Sequence, residues 1–175
     1  MIEIRVVGAD DWRLWRRARL AALAGAPEAF GTRLADWQGD GDREDRWRAR
    51  LSIPGAHDLL ALRHGEPVGI ATGVPEPEGD AAKVISVWVD RSARGSGVGD
   101  ALLRALERWA AEGRYTTLRL DVFSDNRHAI GLYRRNGFDF LPERGELATP
   151  DEPADHRSHP RVERVMVKAV APAIG

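Results

Sequence analysis

Hydrophobic and polar residues alternate with the two-residue period of a half-buried strand at both ends of the chain. Ile2, Ile4 and Val6 alternate with charged residues, and residues 162–170 show the same pattern. We therefore expect a first strand whose buried face carries Ile2, Ile4 and Val6, and a last strand over 162–170.

Helical periodicity follows the first strand. Asp10 or Asp11 can cap a helix that runs to about Ala24 and ends at Gly25. We expect one face of this helix to pack on the core through Trp12, Trp15, Ala22 and Leu23. We expect its arginines to form a solvated face; they are Arg13, Arg16, Arg17 and Arg19. A second short helix is predicted over residues 43–51.

The middle of the chain alternates strands and helices. Residues 59–63 and 67–74 are apolar runs joined by a turn short enough for a hairpin. Strands over 84–89 and 116–123 are followed by helices from about residue 100 and residue 126, and Phe138 and Phe140 suggest another strand. The predicted order is β-α-α-β-β-β-α-β-α-β-β, a mixed α/β domain with a largely antiparallel start that spans residues 1–175.

A glycine-rich turn links the strand at 84–89 to the helix after it. Glycines stand at alternate positions in Arg94-Gly95-Ser96-Gly97-Val98-Gly99, just before the helix begins. Unpaired amides and the positive end of the helix dipole favour an anion there, most often a phosphate, and glycine lets that anion approach the backbone. The alternative is a turn that only joins a strand to a helix.

Two common phosphate-binding motifs do not fit this turn. A nucleotide P-loop requires Gly-Lys-Ser/Thr, whereas Gly99-Asp100-Ala101 stands here. A dinucleotide fingerprint requires its third glycine at the position of Asp100.

Composition narrows the function classes. The 175 residues carry a formal net charge of −1, which gives no electrostatic case for nucleic acid or an anionic membrane. The absence of cysteine excludes disulfides and thiolate nucleophiles and is compatible with a cytoplasmic location, which we expect. We expect no signal peptide and no metal site, since His156 and His159 lack the spacing of a helical metal pair.

The glycine turn resembles the Arg/Gln-x-x-Gly-x-Gly/Ala signature of the GCN5-related N-acetyltransferases (the GNAT superfamily). Residues 118–138 resemble a second conserved block of that family, in which a strand leads to an Asn-x-x-Ala-x-x-Leu-Tyr helix and a terminal Gly-Phe. The two motifs occur in the family's order, and the resemblance covers roughly residues 2–170.

The resemblance implies a fold and a cofactor. The fold is a central mixed sheet of about seven strands, flanked by about four helices, whose two central parallel strands splay apart. Acetyl-CoA is expected to place its pyrophosphate on the turn and its pantetheine arm in the gap, as a co-substrate without a metal. The implied cofactor-binding residues are Val87, Trp88, Val89, Arg94, Gly95, Ser96, Gly97, Val98, Gly99, Asp100 and Asn126.

The resemblance also implies catalytic residues. Tyr133 stands where the family places the acid that protonates the departing thiolate, although its ring could simply pack on a helix face. Asp121 stands where some members place an acidic base, but strand alternation allows a merely solvent-facing role. Asn126 is expected to contact the cofactor, to cap its helix, or both.

The leading functional hypothesis is direct acetyl transfer to a primary amine of a small molecule. Acetylation of protein N-termini or lysines is the alternative enzyme, and a non-catalytic acyl-CoA-binding domain is the alternative of another class. The oligomeric state stays open, a homodimer included. We also expect residues 143–160, with five acidic residues against two arginines, to border the acceptor site and favour a cationic amine.

Overall fold

The structure is a computed structural model that describes residues 1–27, 33–142 and 162–174. The expected loop at 143–160, with His156 and His159, therefore lies outside the described residues. The strands are β1 (Ile2–Val7), β2 (His57–Arg63), β3 (Glu66–Pro75), β4 (Ala81–Val89), β5 (Thr117–Phe123), β6 (Asp139–Phe140) and β7 (Glu163–Ala169). The α-helices of the described residues are α1 (Trp12–Gly25), α2 (Glu44–Arg50), α3 (Val98–Glu112) and α4 (Arg127–Arg135).

The strands form a single seven-stranded sheet with the order β1-β2-β3-β4-β5-β7-β6. Neighbouring strands are antiparallel with the exception of β4 and β5, which are parallel because α3 crosses between them. The predicted order of elements and the mixed sheet with a central parallel pair are confirmed. None of the helices in the described ranges is long and apolar enough to span a bilayer.

Both faces of the sheet are covered. One face packs against α3 and α4 through aliphatic residues such as Leu102, Leu106 and Leu120, all fully buried. The other packs against α1 and α2, where Trp15 and Trp47 are completely buried beside residues of β2, β3 and β4. Strands β2 and β3 are therefore buried on both faces along most of their length, as their continuous hydrophobic runs predict.

Two expectations about burial are wrong. Val6 is 59% exposed, whereas Val7, on the opposite face of β1, packs into the cluster with α1 and α2. Arg19 is 8% exposed rather than solvated, because it lies one helical turn from both Trp15 and Leu23 on the inward face of α1. Burial, together with the charge of Arg50, lowers the pKa of Arg19 to about 10.

Candidate active site

The parallel pair at the centre of the sheet separates soon after it forms. In the described residues, β4 and β5 pair only from Ala81–Lys83 against Thr117–Arg119. Beyond this point a cleft of about 100 Å³ opens between the strands. Its lining residues are Val84, Ile85, Ser86, Val87, Leu120, Asp121, Val122, Phe123, Asn126, Ala129, Tyr133 and Glu163.

A β-bulge lies on the β4 side of this cleft. Ile70 of β3 pairs with Trp88 and Thr72 pairs with Ile85, so two residues of β4 oppose the single residue Ala71. One of the two, Ser86, has a φ of +57°, in the left-handed region that residues other than glycine rarely adopt. Bulges bend their strands, and this one lies just beyond Lys83, the last residue of β4 that pairs with β5.

The glycine turn follows β4 directly. Gly95 and Gly97 have φ values of +76° and +85°, and a side chain on either would meet open space rather than protein. Gly99 serves packing instead, since a Cβ there would lie 2.9 Å from the Leu132 side chain of α4. The turn therefore exposes backbone at its first two glycines and draws α3 against α4 at the third.

A second and larger cavity, of about 490 Å³, lies over this turn and the start of α3. The first intrahelical hydrogen bond of α3 runs from the Ala101 amide to the Gly97 carbonyl, so the preceding amides have no helical acceptor. Three arginines and a histidine line the cavity against one carboxylate, and these are Arg94, Arg127, Arg135, His128 and Asp100. Amides and guanidinium groups around one cavity are the donors that phosphate oxygens bind.

The Asp100 carboxylate is already occupied within the protein. It accepts hydrogen bonds from Asn136 Nδ2 at 2.7 Å and from Arg135 Nε at 3.3 Å, and so links α3 to α4. Desolvation raises the pKa of Asp100, but the hydrogen bonds from Asn136 and Arg135 outweigh it and lower the pKa overall. A ligand at the turn would therefore meet Asp100 through its backbone amide.

Tyr133 of α4 lines the cleft and is 8% exposed. Its ring packs edge-on against Phe138, with 6.0 Å between the ring centroids. Burial raises the pKa of the Tyr133 phenol, so it remains protonated and can donate a hydrogen bond or a proton. The packing role and the donor role expected of Tyr133 are thus compatible.

Asn126 and Asp121 line the same cleft. The Asn126 side-chain oxygen accepts from the Ala129 amide at 3.2 Å, so Asn126 caps α4 as one of its expected roles requires. Asp121 lies on the exposed side of β5, and its Oδ2 accepts an ion-pair contact from Lys83 Nζ at 2.6 Å.

Comparison with known proteins identifies the family. Residues 20–138 match the sequence profile described as Acetyltransferase (GNAT) family. The chain belongs to this family.

Individual proteins with similar sequences or structures are also acetyltransferases by name. An IAA acetyltransferase of Azospirillum brasilense is 32% identical over 88 residues, a match that covers 50% of this chain and 58% of that protein. A GNAT-family acetyltransferase from Streptococcus pneumoniae superposes with a TM-score of 0.72 at 18% identity, covering 98% of this chain and 100% of that one. The PaiA N-acetyltransferase of Thermoplasma acidophilum, solved with coenzyme A, gives 0.69 at 15% identity, covering 97% and 99%.

The resemblance to the GNAT family and its fold class are therefore confirmed. Most of the residues that the resemblance assigned to the cofactor lie on two cavities that share β4 and α4 as walls. Val87 lines the cleft and Val89 lines the larger cavity, whereas Trp88 is 6% exposed and packs with α1 and α2. Ser96 accepts a hydrogen bond from Arg63 at 3.0 Å, so its side chain is engaged within the protein.

Sequence reasoning missed several residues at this candidate site. Glu163 reaches the cleft because β7 pairs with β5 in a register that sets it opposite Phe123. Lys83 reaches Asp121 across the last paired residues of β4 and β5. Neither strand register can be derived from hydrophobic periodicity. In contrast, Arg127, His128 and Arg135 lie on one side of α4, and this cationic pattern was a usable signal for the lining of the larger cavity.

Proposed function

We propose that this GNAT-family chain is an acetyl-CoA-dependent N-acetyltransferase whose acceptor is a primary amine of a small molecule. The observation that carries the proposal is the position of the two cavities, which both have walls formed by β4 and α4. A donor with its pyrophosphate over the glycine turn would direct its pantetheine arm along β4 and its thioester toward Tyr133.

The backbone of β4 supports this placement. Beyond Lys83, β4 has no register partner on the β5 side among the described residues, although it still pairs with β3. Its amides and carbonyls at Val87, Trp88 and Val89 are therefore the groups we assign to the pantetheine arm. These interactions involve the main chain, so the buried Trp88 side chain does not conflict with them.

The proposed reaction is direct attack. The neutral amine nitrogen forms a bond to the thioester carbonyl carbon, and the carbon–sulfur bond breaks as the tetrahedral adduct collapses. The surplus proton of the amine passes to the Asp121 carboxylate, directly or through water, and the departing thiolate takes a proton from the Tyr133 phenol, which solvent later restores.

The environment of Tyr133 suits this role. Burial raises the pKa of the phenol, so the donor is present throughout the working pH range. Desolvation in the cleft would disfavour the thiolate anion as well and so raise its basicity, which partly offsets the higher pKa of the phenol.

The charge around the cleft supports a cationic acceptor. Asp121 and Glu163 both line it, and an ammonium group would interact favourably with either carboxylate before it loses its proton. Lys83 neutralises part of the negative charge of Asp121 through its contact with that carboxylate. Glu163 therefore supplies much of the remaining negative charge at the cleft.

A screen of acceptors tests the proposal. Purified protein is incubated with acetyl-CoA and with small primary amines, an N-terminal alanine peptide or a lysine peptide, and free thiol release is measured. We expect a small amine to give a kcat/KM at least about tenfold above either peptide, a difference of roughly 1.4 kcal/mol in transition-state binding. Release with peptides alone would favour the protein acetyltransferase. Binding of acetyl-CoA with no release would favour the non-catalytic domain.

A further inference from the structure

A buried polar network connects α2 to the bulge in β4. Arg50 Nη1 donates to Asp58 Oδ1 at 2.9 Å, and Arg50 Nη2 donates to Thr72 Oγ1 at 3.1 Å and to Ser86 Oγ at 3.3 Å. Thr72 Oγ1 in turn donates to Asp58 Oδ1 at 2.7 Å. One guanidinium therefore joins α2, β2, β3 and β4.

The network is buried. Asp58 and Thr72 are 2% and 0% exposed, and the Arg50 side chain is 12% exposed with its guanidinium 5.0 Å from the centroid of the Trp15 ring. A buried ion pair adds little net stability compared with apolar packing, but its directional bonds favour a single arrangement of the groups around it. The fork of donors in a guanidinium can bind several acceptors in one fixed geometry.

Ser86 needs such support. Its φ of +57° is unfavourable for a residue with a side chain, and conformations of this kind persist where the surrounding structure determines them. Ser86 also lines the cleft and forms the bulge that bends β4 there.

We propose that Arg50 is a positioning residue that holds Ser86 in the left-handed conformation and so keeps the β4 wall of the cleft in the shape that receives the acyl end of the donor. Arg50 acts through Ser86, since it is absent from the lining of both cavities. The inference rests on the proposed use of acetyl-CoA.

The test separates the two ends of the donor. Binding of acetyl-CoA and of adenosine 3′,5′-bisphosphate, which lacks the pantetheine arm, is measured by calorimetry for the wild type and for Arg50→Lys. Lysine can keep one contact to Asp58 but cannot also reach Ser86. We expect acetyl-CoA to bind about tenfold more weakly to Arg50→Lys and the bisphosphate to bind as it does to the wild type.

Rescue makes the test specific to the bulge. Glycine adopts a positive φ without cost, so Ser86→Gly introduced into Arg50→Lys should recover most of the lost acetyl-CoA affinity. Ser86→Ala, which leaves the Arg50–Asp58 pair intact, should weaken acetyl-CoA binding and covers the case in which Arg50→Lys fails to fold. The matched control is Arg48→Lys on the same helix, where Arg48 bonds Glu44 and Asp10 on the surface.

The outcomes distinguish the two proposals. Undiminished acetyl-CoA affinity in both Arg50→Lys and Ser86→Ala would overturn the positioning role. An equal loss of both ligands, or the absence of rescue by Ser86→Gly, would overturn it as well, because a general loss of structure would then explain the result. A wild-type protein that binds neither ligand would instead overturn the proposed function.

Discussion

Replacing Tyr133 with phenylalanine separates its packing, which the structure shows, from the acid role that we propose for it. The ring is 8% exposed and packs on Phe138, and phenylalanine preserves that ring while removing only the hydroxyl. We expect the free energy of unfolding to change by about 1 kcal/mol or less, as typical for substitutions that leave no cavity. For a chain of this length, that corresponds to a melting-temperature change of about 2–4 °C.

The effect on turnover should be much larger. A hydrogen bond to a charged group contributes about 1.5–3 kcal/mol, and the departing thiolate is such a group. Loss of the donor should therefore reduce kcat by about a hundredfold, the lower end of the range for a general acid. The acetyl-CoA KM should change little, since the hydroxyl interacts mainly with charge that develops during the reaction.

The assay is thiol release with acetyl-CoA and the best amine from the screen, measured between pH 6 and pH 9. Tyr115→Phe is the matched control, because Tyr115 is the only other tyrosine and packs on Trp109, away from both cavities of the site. Since burial raises the pKa of Tyr133, its loss should lower the whole pH–rate profile without removing a limb. Wild-type kcat in Tyr133→Phe, or an equal decrease in Tyr115→Phe, would refute the acid role.

The remaining predictions address the turn, the base and acid stability. Gly97→Val should weaken acetyl-CoA binding in calorimetry far more than Gly79→Val, whose φ of +81° imposes the same backbone strain in the β3–β4 turn; equal effects would contradict a role of the turn in binding. Asp121→Asn should flatten the acidic limb of the pH–rate profile, and an unaltered profile would assign the proton to water or to Glu163. Hydrogen bonds from Arg16 and Trp47 lower the pKa of Asp42 from 3.8 to about 2, so Asp42 stabilises the fold above about pH 4 and loses this effect as the pH falls through 2. The excess of wild-type melting temperature over Asp42→Asn should therefore shrink between pH 4 and pH 2, whereas a constant difference would show that the carboxylate is not ionised preferentially in the folded state.

Periodicity predicted those parts of the fold that depend on local sequence. The strand, glycine turn and helix from residue 84 to residue 112 follow from an apolar run, three glycines and a helical apolar stripe, and the hairpin after residue 57 follows from its short polar turn. Family resemblance supplied what periodicity could not, namely the separation between β4 and β5.

Features that depend on contacts between distant residues were not predictable. The apolar run of β4 gives no indication that Ser86 occupies a bulge, because that conformation depends on register with β3 and on Arg50 from α2. The burial of Arg19 was not predicted because the charge of an arginine favours a solvated position. The spacing of Arg19 from Trp15 and Leu23 is nevertheless that of a core position. Glu163 could not be placed without the register of β7.

The brief pairing between β4 and β5 divides the sheet into two sections. Strands β1 to β4 form an antiparallel group, β5, β7 and β6 form another, and three residue pairs join them within the described residues. A donor bound between β4 and β5 would contact both sections. Its contacts would stabilise their association where hydrogen bonds between the two strands are absent. Ligand at a hundred times its Kd adds about 2.7 kcal/mol to the free energy of unfolding. In this protein that gain would appear as greater cooperativity, with amide hydrogen exchange slowing together on both sides of the cleft.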